Sequence, residues 1–230
     1  MKTIGLIGGI TWHSTLDYYR ILNEAVNKRL GGAHSAKLIL DSVDFAEIKR
    51  LTVLQDWDGI ALIMSAAVKA LEAAGADCVL ICANTMHNIA DKILPGMNVP
   101  LIHIAEAVAG SIKAKAVKKV ALLGTKYTMQ MDFYKDKLAA HGIATIIPSG
   151  SDIEFINNSI YTEFSNGIFL PETKQQYLTI IDSLVKEGAE GIIFGCTEIP
   201  ILVKQSDCNV PVFDTAYIHA MAAVDFALAV

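Results

Sequence analysis

A chain of 230 residues, 53% hydrophobic with a mean hydropathy of +0.41, has ample material for a core and room for one large domain or two small ones. Its net charge of −5 provides no basic stripe to neutralise phosphates, which argues against nucleic acid and acidic membrane surfaces as partners. No apolar run reaches the roughly 18–20 residues of a membrane span, and four cysteines without a CxxC pair or an adjacent His suit neither a disulfide scaffold nor a zinc site, so a cytoplasmic protein without metal is expected.

The chain opens on an apolar, glycine-rich stretch that reads as a strand and turn, not as a signal peptide. Strands are predicted at residues 3–8, 37–43, 77–82, 99–102, 119–124, 143–147, 190–195 and 210–213. They are nearly continuously apolar, as strands of a parallel sheet covered on both faces must be. A helix is predicted over 14–30, with Leu16, Tyr19, Leu22, Val26 and Leu30 at helical spacing and Gly31-Gly32 ending it. Further helices are predicted at 59–74 and 172–187. The short basic run Lys113, Lys115, Lys118, Lys119 leads into a strand and reads as a solvated helix end. The alternation defines an α/β fold.

The chain repeats itself. Gly75-Ala76-Asp77-Cys78-Val79-Leu80-Ile81-Cys82-Ala83-Asn84-Thr85 returns 113 positions later as Gly188-Ala189-Glu190-Gly191-Ile192-Ile193-Phe194-Gly195-Cys196-Thr197-Glu198. Val99-Pro100-Leu101-Ile102 and Val210-Pro211-Val212-Phe213 follow the two copies, and Thr3 to Gly9 matches Lys119 to Thr125. Two pseudo-symmetric lobes are expected, each a mainly parallel sheet flanked by helices. Residues 1–100 with 212–230 form the first and 101–211 the second. Ligand is expected in a cleft where the strands' carboxyl ends meet.

Cys196 is the main candidate for chemistry. It follows a buried strand and precedes a short helix near Ile199, where backbone N–H groups and Thr197 should favour the thiolate. A thiol lowered toward neutrality is a usable base. Asn84-Thr85 is the matching tip, able to hold a carboxylate or to cap the helix that starts at Met86. Thr125 is a hydrogen-bond donor to substrate or a helix cap. His87 reads as an acid/base or a polar first-turn residue, and His13 as a ligand-facing or surface residue. Asp44, Glu47 and Thr52 follow the second strand on its carboxyl side. Gly8-Gly9 is not a dinucleotide fingerprint, since Trp12 stands where its last glycine would fall, and there is no Walker sequence.

Met1-Lys-Thr-Ile-Gly-Leu-Ile-Gly-Gly, Tyr18-Tyr19-Arg20, Gly31-Gly32-Ala-His-Ser-Ala, Ser42-Val-Asp-Phe-Ala-Glu-Ile, Cys82-Ala-Asn-Thr-Met-His and Gly195-Cys-Thr-Glu-Ile-Pro together resemble the aspartate/glutamate racemase superfamily, closest to its aspartate and broad-specificity subgroup. The resemblance spans essentially the whole chain, through Phe213-Asp214-Thr215 and Ile218-His219-Ala220. It implies cofactor-independent racemisation of aspartate, glutamate or a similar small amino acid, usually by a homodimer. It implies one acid/base at each repeated strand tip and substrate-binding positions at Asn84, Thr85 and Thr197, while Ile10, Thr52 and Thr125 are further candidates for substrate contact. The second acid/base maps onto Cys196. The first maps onto Ala83, which has no proton to exchange. Cys82, His87 and His13 are auxiliary candidates for that role, although strand alternation turns Cys82 away from the face of Ala83. The basic residues that some aspartate racemases of this family use on the distal carboxylate are not found around Glu47 and Ser165. Two further readings follow from Ala83: single-cysteine carbanion chemistry, such as decarboxylation of a malonate-type acid, and an amino-acid-binding protein without turnover.

Overall fold

The computed structural model describes residues 1–229 and divides into two compact units, Met1–His103 with 219–229, and Ile104–Ile218. The first unit holds strands β1 (Ile4–Gly8), β2 (Leu38–Ser42) and β3 (Cys78–Ile81). Its helices are α1 (Trp12–Leu30), α2 (Phe45–Val53), α3 (Trp57–Ala73) and the single turn α4 (Ala90–Ile93). The second holds α5 (Ile104–Ala114), β4 (Lys119–Gly124), α6 (Lys126–Gln130), α7 (Asp132–Ala140), β5 (Ala144–Ile146), α8 (Gly150–Thr162), α9 (Pro171–Lys186), β6 (Gly191–Gly195), α10 (Ile199–Leu202) and β7 (Val212–Asp214). Helix α11 (Thr215–Leu228) supplies residues 219–228 of the first unit.

Both sheets are parallel. The first has the order β2-β1-β3 and the second β5-β4-β6-β7. The sequence repeat is therefore a repeat of topology: a central first strand, its successor on one side and the repeated strand on the other. The fourth position is a full strand only in the second unit. In the first it is a lone parallel bridge, Val79 to Leu101. The pairing of β7 with β6 keeps residues 212–218 in the second unit. The boundary expected at 212 therefore lies at 219, because Phe213 packs with Val120, Leu122 and Ile193 against α5 and α7.

The second sheet shows why its strands are apolar throughout. Ala121, Leu123, Ile192 and Phe194 face α8 and α9, while Val120, Leu122 and Ile193 face α5 and α7. The period of two along each strand serves two cores. In the first unit Ile7, Val79 and Ile81 pack under α2 and α3. Ile4, Leu6 and Leu80 are fully buried at the alternate positions.

Helix α1 buries only part of its apolar series. Its buried face is Ser14, Thr15, Tyr18, Ile21, Leu22 and Val26, while Leu16, Tyr19 and Leu30 are exposed. Apolar residues occupy both faces of this helix, so helical spacing alone does not select the inner one. Trp12, Leu16 and Tyr19 form an outward stripe, each more than half exposed at 59%, 57% and 56%. Among the described residues, no helix is long and apolar enough to cross a membrane.

Candidate active site

In the second unit β4 and β6 end side by side, with Gly124 and Gly195 as register partners. The approach leaves no room for a side chain. A Cβ on Gly195 would stand 2.9 Å from the Leu123 carbonyl oxygen, and one on Gly124 would stand 2.9 Å from that of Gly195. Thr125 and Cys196 thus leave adjacent strand ends. Thr125 caps α6, its hydroxyl accepting from the Thr128 N–H at 3.2 Å.

Cys196 is half-buried at this tip. Its Sγ–H donates to Oε2 of the buried Glu198 at 3.0 Å, and the Thr197 hydroxyl donates to the same oxygen at 2.6 Å. Burial pushes the Cys196 thiol well above its ordinary range. The adjacent carboxylate adds to the shift by repelling a thiolate and accepting the thiol's proton, and these effects outweigh the backbone N–H groups of Thr197 and Glu198. The expected downward shift is therefore reversed. The short α10 and the hydroxyl of Thr197 do not set the charge; burial does first, and Glu198 adds to it. At rest Cys196 is an acid in contact with a proton acceptor.

Two phenols lie within reach of the same charges. Burial, then Cys196 and Tyr127, push Tyr161 up to about 12. Tyr177 is pushed up by burial and by the charges of Cys196, Glu163 and Glu198, and it donates to Ser159 Oγ at 2.9 Å, since that hydroxyl spends its own proton on the Ile156 carbonyl. Residues 104–218 contain no arginine, and the chain's three, Arg20, Arg29 and Arg50, all lie in the first unit.

In the first unit the repeated tip is built differently. Cys82 is fully buried, its N–H donates to the Ile7 carbonyl at 2.9 Å, and burial raises its thiol far out of the working range. Ala83 is half-buried against the core under α3. Alternation at the strand end thus exposes the residue without a proton and seals the one with a thiol. The Ser14 hydroxyl donates to the Cys82 carbonyl at 2.7 Å, tying the start of α1 to this tip.

Asn84 and Thr85 are buried where the chain turns into a 3₁₀ segment, Thr85–Ile89, and the Asn84 side chain does not cap it. His87, 1% exposed, donates Nδ1–H to the Ala83 carbonyl at 2.9 Å. Burial, and then the neighbouring His103, lower its pKa to about 3, so it is neither a proton donor nor a useful base near neutrality. The half-buried His13 stacks on Trp12 with ring centroids 3.6 Å apart, and its Nδ1 is buried without a hydrogen-bond partner among the described residues. Ile10 packs into the core, and the Thr52 hydroxyl donates to the Ile48 carbonyl at 2.8 Å. Asp44 caps α2 through the Ala46 N–H. Among the described residues no group of three or more His, Cys, Asp or Glu is placed to hold a metal.

Glu198 is the buried carboxylate beside Cys196 that sequence reasoning misses. Its only signal is a carboxylate two positions after a cysteine, and its burial depends on the packing of α10.

Two parallel sheets flanked by helices, ending in a pair of related strand tips, define an α/β protein of the two-lobed amino-acid racemase fold. The sequence model of the Asp/Glu/Hydantoin racemase family matches residues 7–223, and the chain belongs to that family. A Yersinia pestis protein assigned as an Asp/Glu racemase superposes with a TM-score of 0.94 at 48% identity over 100% of both chains. An aspartate racemase homologue from Pyrococcus horikoshii gives a TM-score of 0.87 at 38% identity over 99% of both. The broad specificity amino-acid racemase RacX of Bacillus subtilis is 26% identical over 167 residues, 73% of this chain and 71% of RacX.

Proposed function

We propose that this protein racemises a small amino acid by removing and returning its α-proton, with Cys196 as the principal acid/base. The observation that carries the reading is the hydrogen bond from Cys196 Sγ to Glu198 Oε2 at the open end of a buried strand. In one direction the thiol protonates the α-carbanion. In the other, the thiol passes its proton to Glu198 and the thiolate takes the α-proton. The pair exchanges protons through protein groups alone, so the reaction as proposed uses no cofactor. Asn84, Thr85, Thr125 and Thr197 supply polar groups for the substrate's carboxylate and amine. With Cys82 and His87 sealed, His13 is the titratable side chain we assign to the proton missing at Ala83. Aspartate and glutamate are the first substrates to assay, with neutral small amino acids beside them. Family membership supports the reading, as does the racemase RacX among the relatives. The exposed stripe Trp12, Leu16, Tyr19 is the face we assign to the homodimer of the family resemblance.

The test is chiral chromatography of each enantiomer of a panel of small amino acids after incubation with the wild type and with Ala83→Cys. Conversion by the wild type, faster in Ala83→Cys, supports the reading. No conversion by either refutes it. One observation favours a second reading: a single usable thiol, held as an acid, suits protonation of one face of a carbanion after CO₂ loss. Release of CO₂ from malonate-type acids without racemisation would select that chemistry, and binding without turnover would leave an amino-acid-binding protein.

A further inference from the structure

The first-unit tip is held by two side chains that donate to successive carbonyls: Ser14 to Cys82 at 2.7 Å and His87 to Ala83 at 2.9 Å. A peptide unit is planar and trans, so pinning the Ala83 carbonyl also pins the Asn84 N–H, which points the opposite way. The bond from His87 therefore sets the plane that joins the two residues of greatest interest at this tip.

His87 is itself fixed from behind. Its ring meets His103 edge-on at 4.7 Å and His219 at 5.4 Å between centroids. His219, fully buried, donates Nε2–H to the Ile102 carbonyl at 2.5 Å, which leaves Nδ1 to accept from the Tyr18 hydroxyl at 2.7 Å. Tyr18 lies on the buried face of α1, four residues beyond Ser14. One face of α1 thus reaches the strand tip twice, directly through Ser14 and through the edge-on imidazoles behind His87.

We propose that His87 is a positioning residue: its Nδ1–H holds the Ala83–Asn84 peptide in the orientation that presents the Asn84 tip to the substrate, and its ring transfers no proton. The proposal rests on the racemase reading for its kinetic consequence, but the geometry is testable without it.

Two measurements separate these. The first uses ¹⁵N NMR of the histidine side chains in the wild type. His87 is expected as the neutral Nδ1–H tautomer from about pH 7 to about pH 4. The Nε2–H tautomer, or a ring that charges near neutrality, overturns the proposal whether or not the protein is a racemase. The second compares His87→Asn, whose amide stands close to Nδ1 and keeps the donor, with His87→Gln and His87→Leu, which lose it there. His87→Asn is expected to retain kcat/KM within about threefold with an unchanged pH profile. The other two are expected to lose on the order of 10- to 100-fold, mostly in KM, because a tip that binds substrate is displaced. Equal damage in all three overturns the proposal, as does loss of one limb of the pH profile in His87→Asn. If His87→Leu does not fold, the Asn and Gln pair carries the comparison. An inactive wild type with His87 in the Nδ1–H form defeats the racemase reading and leaves the positioning geometry standing.

Discussion

Acidification to about pH 5 should weaken the first unit through two imidazoles that no substrate contact requires. His87 and His219 are buried, and each is lowered to about 3: burial comes first for both, with His103 acting on His87 and His87 acting on His219. In the unfolded chain an imidazole titrates near 6.5, so below that pH the unfolded state binds protons that the folded state refuses. The stability supplied by the neutral rings is complete above about pH 6.5 and declines as the pH falls toward 3. Between pH 6.5 and pH 5 each ring costs about 2 kcal/mol, at roughly 1.4 kcal/mol per pH unit, or about 4 kcal/mol for the pair acting independently. The carboxylates with lowered pKa, Glu72, Glu190 and Asp207, act mainly below this window, since their ordinary values are 4.5, 4.5 and 3.8. Both tryptophans, Trp12 and Trp57, lie in the first unit, so urea unfolding followed by tryptophan fluorescence reads the relevant part of the molecule. The unfolding free energy should drop by a few kcal/mol between about pH 7.5 and pH 5, and His87→Asn should remove about half of the drop. A change of less than about 1 kcal/mol, or an unaltered drop in His87→Asn, would refute the argument.

Replacing Glu198 by Gln removes the charge that helps hold the Cys196 thiol up. Site-resolved alkylation by iodoacetamide should shift to lower pH by about one unit, while α-proton abstraction falls on the order of 10- to 100-fold because an amide accepts no proton; an unchanged alkylation profile would contradict the pairing. Gly195→Ala drives a Cβ to 2.9 Å from the Leu123 carbonyl oxygen and should cost about 1–3 kcal/mol by denaturant titration, with activity falling as the Cys196 tip is displaced. The Tyr134 hydroxyl is buried without a partner among the described residues, so Tyr134→Phe should raise stability by about 1 kcal/mol; a loss would mean that the hydroxyl is bonded after all.

The architecture was legible because the chain states it twice. The Gly-Ala-acid turn, the apolar run and the small polar tip recur with the same strand order, and buried parallel strands are the easiest elements to see in a hydropathy pattern. The inner face of α1 was not legible, since Leu16 and Tyr19 are as apolar as Ile21 and Leu22 and only packing distinguishes them. At the candidate site, alternation correctly set Cys82 and Ala83 on different faces. The electrostatics of Cys196 came out reversed. A helix start and a hydroxyl are visible in sequence, but the burial of Glu198 against the thiol is a property of the folded turn. The support behind His87 was equally hidden. Tyr18 and His219 are 201 residues apart, and nothing local in either segment signals that they meet.

Hydrogen–deuterium exchange at the α-carbon tests the central claim most directly. With each enantiomer of a racemised amino acid in D₂O, ¹H NMR should show wash-out of the α-proton in the wild type and its loss in Cys196→Ser, with the fold intact by circular dichroism. Wash-out that continues undiminished without the Cys196 thiol would contradict the account, as would a wild type that exchanges no α-proton of any amino acid.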